Sequence, residues 1–158
     1  MVIIKKHTEG DSRVAKETPT IEAFRQANID HISDVKRLGK EFCEGLNMRM
    51  ANHDWTKIVE PYASLFYHDL CSTIEGKMNF FDGEWSKLHY QELERHHLKR
   101  NCPDDVNLFD VIEMLCDCVA AGMARSGDVY DVDIPSEVLV KAVSNTSKWL
   151  QSRIMVIE

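Results

Sequence analysis

The stretch 108–124, LFDVIEMLCDCVAAGMA, is the most hydrophobic helix candidate in the chain, and its only charged residues are Asp110, Glu113 and Asp117. At about 100° per residue these three fall within roughly 60° of one another on the helical wheel. Solvent-facing stripes usually mix in Lys, Arg and Gln, whereas this one is purely acidic. Ala120, Ala121 and Ala124 beside it are small enough to permit a close approach. Two readings stay open for Asp110 and Glu113: the solvated stripe of an amphipathic helix, or the carboxylates of a cation site. Asn107, just ahead, is a natural N-cap, and the helix is expected to run through the core.

Working outward, helical periodicity recurs on both sides. Ile21, Phe24, Ile32, Val35, Leu38, Phe42 and Leu46 follow three- and four-residue steps behind Thr18, Pro19 and Thr20, predicting a long first helix over 20–49. Trp55 to Leu70 carries a second pattern interrupted at Pro61, which predicts either a kink or a short helix ending near Val59 and another starting at Pro61. Trp85, Leu88, His89, Leu93, His96 and His97 predict a helix over 84–99, and Leu139 to Leu150 a last one over 136–153. The only strand candidates are 2–5 and 154–157. The fold class expected is all-α, a single-domain helical bundle of about five to seven helices. The domain spans 20–153, with an N-terminal extension at 1–19 and a tail at 154–158.

At 158 residues the chain is one domain by size and needs no metal or disulfide merely to fold. Nineteen Lys plus Arg against 26 Asp plus Glu give a net charge of −7, which disfavours a protein that grips a nucleic-acid polymer through its own field. No window of about 18 apolar residues exists and the N-terminus lacks a signal peptide's apolar core, so no membrane partner and a cytoplasmic location are expected. Five cysteines without a CxxC pair read as reduced, structural thiols.

The seven histidines stand out. By its apolar neighbours Phe24, Val35 and Leu38, His31 looks inward, either as a satisfied core histidine or as a ligand. His53 and Asp54 offer an imidazole and a carboxylate at the start of the next helix, both good ligands for a divalent transition metal. His89 and His96 are seven apart, about 10.5 Å along a straight helix, too far for one metal unless the helix bends or His97 is the true partner. The His96–His97 doublet reads equally as a solvated helix C-terminus. Trp85, Phe80 and Phe81 read as packing, a pocket lining or the surface of a homodimer.

In order, His31, His53 with Asp54, His89, His96 with His97, and Asp117 resemble the ligand series of the HD superfamily, an all-helical group of mostly metal-dependent phosphohydrolases. The HDWTK stretch at 53–57 is similar to the HDxxK form of its cyclic-dinucleotide phosphodiesterase branch, although no GYP tripeptide follows the doublet. The chain also resembles a small HD-like family of phage and bacterial genomes, with an HDxxK start, an HH doublet and an EMxxD helix, here Glu113, Met114 and Asp117. The resemblance covers about residues 28–125. It implies one or two divalent ions (manganese, iron, cobalt, nickel or zinc, with magnesium a further option) held by His31, His53, Asp54, Asp117, His89, His97 and His96.

Such a site would hydrolyse a small phosphorylated molecule, above all a nucleotide, by attack of metal-bound water. Lys57 would neutralise the phosphate unless it is an ordinary surface lysine, Glu113 or Asp110 would orient the water or accept its proton, and Arg125 would add an anion contact. Two alternatives use the same residues: an HD-type di-iron oxygenase, which needs four His and two Asp, and a non-catalytic helical interaction module, for example a phage-encoded one.

Overall fold

The structure, a computed structural model, describes residues 1–6, 9–11 and 13–158; His7 lies outside them. It is 61% helical, and the all-α class read from the periodicity is what the chain adopts. Five α-helices occur among the described residues: α1 (Ile21–Ala51), α2 (Tyr62–Ile74), α3 (Glu84–Leu88), α4 (Leu108–Ser126) and α5 (Ser136–Gln151). Two compact units are distinguishable, one formed by Met1–Leu46 with Ser147–Glu158 and the other by Asn47–Thr146.

In the first unit the two ends of the chain meet. Strand β1 (Val2–Lys5) pairs in parallel with β2 (Ile154–Ile157), in a register that runs from Val2 opposite Ile154 to Lys5 opposite Ile157. The segments read as an extension and a tail are thus partners. Val2 is buried there, and the N-terminal ammonium lies 2.9 Å from the Glu41 carboxylate of α1.

In the second unit Pro61 separates two elements, as one of the sequence alternatives predicted. A single 3-10 turn, Trp55–Lys57, precedes it, and α2 starts directly after it. Helix α4 begins with a capping box: the Asn107 side chain accepts from the Phe109 and Asp110 N–H groups, and Asp110 Oδ2 accepts from the Asn107 N–H at 3.0 Å. That satisfies donors a helix start otherwise leaves unpaired, typically about 1 kcal/mol. Gly127, with φ 78°, closes the helix in the left-handed conformation. The close approach expected at the alanines occurs instead at Gly122. Residues 128–130 fold back across it, the Tyr130 N–H donating to Cys118 O at 3.3 Å, where a Cβ would overlap their backbone. Ala120 and Ala124 are exposed. The core packs Leu98, Val106, Met114 and Ala142 together, fixed to α5 by the Leu108 N–H donating to Thr146 Oγ1.

Candidate metal centre

Beyond α1 the chain turns through His53 and Asp54. Asp54 has φ 55° and ψ 28°, the left-handed region that residues with a side chain seldom occupy and that costs of order 1 kcal/mol. In this conformation the two neighbouring side chains converge, with His53 Nε2 3.4 Å from Asp54 Oδ2. Lys57, one turn later, pairs with Asp54. Burial works to raise the Asp54 pKa, but the Lys57 hydrogen bond and charge outweigh it and hold the carboxyl below its ordinary value.

The helix predicted over 84–99 ends early. Helix α3 passes into one π-turn, His89–Leu93, closed by the Glu94 N–H donating to His89 O at 3.2 Å, and Glu94 is extended (φ −101°, ψ 124°). The chain doubles back, so the doublet returns to the histidine it would have left behind on a straight helix. His97 Nε2 lies 2.8 Å from His89 Nε2, and the His89 and His96 rings are 6.3 Å apart. The reading of the doublet as a solvated helix end fails: His96 is fully buried and His97 half-buried. Single π-turns inside helices recur at functional sites because they displace side chains in this way.

What holds the outer edge of each ring decides what its inner edge can do. His53 Nδ1 is 3.1 Å from Glu113 Oε1, and His96 Nδ1 is 3.3 Å from the same oxygen. His89 Nδ1 is 2.7 Å from Thr56 Oγ1, whose hydroxyl donates to Glu94 Oε1 at 3.2 Å. A hydroxyl that donates to Glu94 accepts from His89, so the His89 proton sits on Nδ1 and its Nε2 lone pair faces the cluster, where His97 Nε2 lies 2.8 Å away. Glu113 does the same for His53. Backing histidines through Nδ1 in this manner orients metal ligands and raises their basicity. Trp85, itself buried, stacks on His89 at 4.3 Å and donates its Nε1–H to Thr56 O at 3.1 Å.

The charges agree with that role. Burial drives the His89 and His97 pKa values down to about 3, so both rings are neutral near pH 7. The Glu113 hydrogen bond raises that of His53. Burial of Glu113 opposes its ionisation, but the His53 hydrogen bond and the neighbouring His96 and Arg49 prevail and hold it at about 2.

Four imidazoles and two carboxylates therefore converge. Asp54 Oδ1 lies 3.5 Å from His89 Nε2 and 3.6 Å from His96 Nε2, and Asp117 Oδ1 lies 3.7 Å from His53 Nε2. Ligand atoms fall within 4.8 Å of one another in the sets His53–Asp54–His96, Asp54–His89–His97 and His96–His97–Asp117. Asp54 Oδ1, both ring nitrogens of His96 and Glu113 Oε2 are buried without a hydrogen-bond partner. Each such atom costs about 1–3 kcal/mol. A divalent cation would satisfy Asp54 Oδ1 and His96 Nε2 together, and the mixed nitrogen and oxygen donor set fits one of the transition-metal type.

Of the candidate ligands, His53, Asp54, His89, His96, His97 and Asp117 are brought together, and His31 is not. Of the apolar neighbours that suggested an inward orientation, Phe24 and Val35 are themselves exposed, by 41% and 54%. His31 is exposed and borders a small cleft with Asp11, Arg13 and Asn28.

Asp110, a candidate base, is buried but fully engaged. Arg95 donates to both its oxygens at 2.9 Å, Arg49 lies 3.1 Å away, and its Oδ2 also serves the helix cap. It anchors α4 and has no oxygen left for a water. Glu113 is neither solvent stripe nor free base, since Oε1 faces two histidines; it positions them. Lys57 reaches the cluster through Asp54. Arg125 is exposed and does not line the neighbouring cleft, though its charge reaches Tyr90. Trp85 is core and lines no surface.

Thr56, Glu94, Arg49 and Arg95 were not singled out from the sequence. The one available signal was the position of Thr56 inside HDWTK.

Among the described residues no helix is long and apolar enough to cross a membrane. No curated protein and no solved structure matches the chain. A model of a family of unknown function, DUF5662, matches residues 20–154, which contain every residue of the cluster. The chain belongs to the DUF5662 family.

Proposed function

We propose that the chain is a metal-dependent phosphohydrolase of the HD type, acting on a small phosphorylated substrate such as a nucleotide. The observation that carries the reading is the buried, unpartnered pair His96 Nε2 and Asp54 Oδ1 among the ring nitrogens of three further histidines. A cleft of about 170 Å³ adjoins them, lined by His96, His97 and Asp117 together with Lys99 and Arg100, so cations face the place where a phosphoryl group would meet the donors. A divalent ion bound there would polarise a phosphoryl oxygen and acidify a water.

The chain's own residues supply the rest. Lys57 neutralises a phosphoryl oxygen once it is released from Asp54. Asp117, 29% exposed and shared by cluster and cleft, is the carboxylate placed to accept a proton. Glu113 and Thr56 keep His53, His96 and His89 in the orientation that turns Nε2 toward the cluster.

A second reading is favoured by one specific observation. The donors number four His and two Asp, the set an HD-type di-iron oxygenase requires. The test is phosphate release from a panel of nucleotides and phosphomonoesters under anaerobic conditions, with manganese, cobalt, nickel or magnesium added. Turnover without oxygen that disappears in Asp54→Ala supports the hydrolase. Oxygen consumption by the iron-loaded protein with no anaerobic phosphate release supports the oxygenase. A correctly folded wild type that binds no metal leaves the interaction module.

A further inference from the structure

Arg100 lines the cleft beside the cluster, its charge set against aromatic rings. Arg100 follows the doublet by one turn, its N–H donating to His97 O at 2.9 Å, and its guanidinium carbon lies 4.0 Å from the Phe81 ring centre and 5.2 Å from that of Tyr90. Among the described residues no carboxylate pairs with it. Lys99, the other cation of the cleft, already donates to Asp131 O at 3.0 Å. A guanidinium spread on aromatic faces is held in place by cation–π attraction while its N–H groups stay free at the edge, an arrangement suited to bidentate contact with an oxyanion.

The same cleft is lined by His96, His97 and Asp117, three of the converging donors. The Tyr90 ring lies 4.4 Å from that of His97, so the aromatic shelf and the cluster are contiguous. At about 170 Å³ the cleft is smaller than the roughly 300–1,000 Å³ of pockets that enclose a drug-sized ligand. It has room for a phosphoryl group and a few attached atoms.

We propose that this cleft is an oxyanion subsite in which Arg100, supported by Phe81 and Tyr90, binds the phosphoryl group of the substrate. The rest of the substrate lies outside the cleft. The inference rests on the phosphohydrolase reading for its ligand class, but the binding it predicts is measurable without turnover.

The test is calorimetric titration with inorganic phosphate, in the presence and absence of manganese, of the wild type, Arg100→Gln, Arg100→Lys and the matched control Arg153→Gln. Arg153 also sits over an aromatic ring, that of Trp149 at 4.9 Å, but far along the chain from the cleft. Arg100→Gln is expected to weaken phosphate binding about tenfold or more and to leave metal content unchanged. Arg100→Lys should lose less, and Arg153→Gln should match the wild type. Equal phosphate affinity in wild type and Arg100→Gln, no phosphate binding by the wild type, or an equal loss in Arg153→Gln would overturn the subsite. A wild type that binds phosphate through Arg100 but holds no metal would support the subsite while removing the phosphohydrolase reading.

Discussion

The first half of α1 and the centre of the second unit invert each other. Along α1, Ile21, Phe24, Ile29, Ile32 and Val35 are all more than two-fifths exposed, although their spacing is that of a core-facing stripe. In the second unit His89, His96, Asp110 and Glu113 are at most 2% exposed, although their chemistry is that of a surface. The contrast teaches that periodicity reports which residues share a face and not what covers it. Ionisable groups stay buried only where partners or a cation compensate the lost hydration.

Four perturbations separate the two regions. The largest effect is expected at the Arg95–Asp110 pair. Arg95→Ala leaves a fully buried carboxylate with only Arg49 and the helix cap, and should cost about 3 kcal/mol in chemical denaturation; a loss below 1 kcal/mol would mean that Asp110 is not held as described.

Next comes pH, with the metal removed. His89 and His97 have folded pKa values near 3, far below the ordinary 6.5. Between pH 6.5 and 3 the unfolded chain therefore takes up protons that the folded one refuses, and stability falls as pH falls. His53 acts in the opposite sense, because its raised pKa adds stability below 6.5 that is lost as pH rises. Glu113 contributes above pH 4.5 and is lost only toward pH 2, outside this range. Glu94, whose pKa burial raises, works with His53, so against the roughly 4 kcal/mol that the two rings lose from pH 7 to pH 5 the net expectation is a loss of about 2 kcal/mol, read from denaturation midpoints; a gain would contradict the burial of the two rings.

Thr56→Val should cost about 1–2 kcal/mol, because it strands His89 Nδ1 and Glu94, and should weaken metal binding 10- to 100-fold, an effect of order that seen when such supporting groups are removed. Metal affinity equal to the wild type would deny Thr56 its orienting role. The smallest effect belongs to the first half of α1: His31→Ala should change stability by less than about 0.5 kcal/mol and leave metal content unaltered, whereas a loss of metal would return His31 to the ligand set.

Much of this was legible in the residues and some was not. The extent of α4, its Asn107 cap and the break at Pro61 follow from local chemistry, which operates within a few residues. Six of the seven candidate ligands converge, Asp117 from α4, His53 and Asp54 from the turn beyond α1, and His89 and the doublet from the two sides of the π-turn. The π-turn was not legible, since one additional residue in a hydrogen-bonded ring leaves no mark on composition, and without it His89 and the doublet stay apart. Nor was the fate of Asp110 and Glu113. Both lie on one acidic stripe and share Arg49, but Asp110 also takes Arg95 while Glu113 faces His53 and His96, and only the folded chain assigns these further partners.

The central claim is that the converging histidines and aspartates hold a metal, and elemental analysis of protein purified without a His-tag and reconstituted with manganese, iron or zinc tests it most directly. Stoichiometric metal is expected in the wild type and in His31→Ala, and its loss in Asp54→Ala with folding retained. Metal-free wild type, or the same metal content in Asp54→Ala, would contradict it.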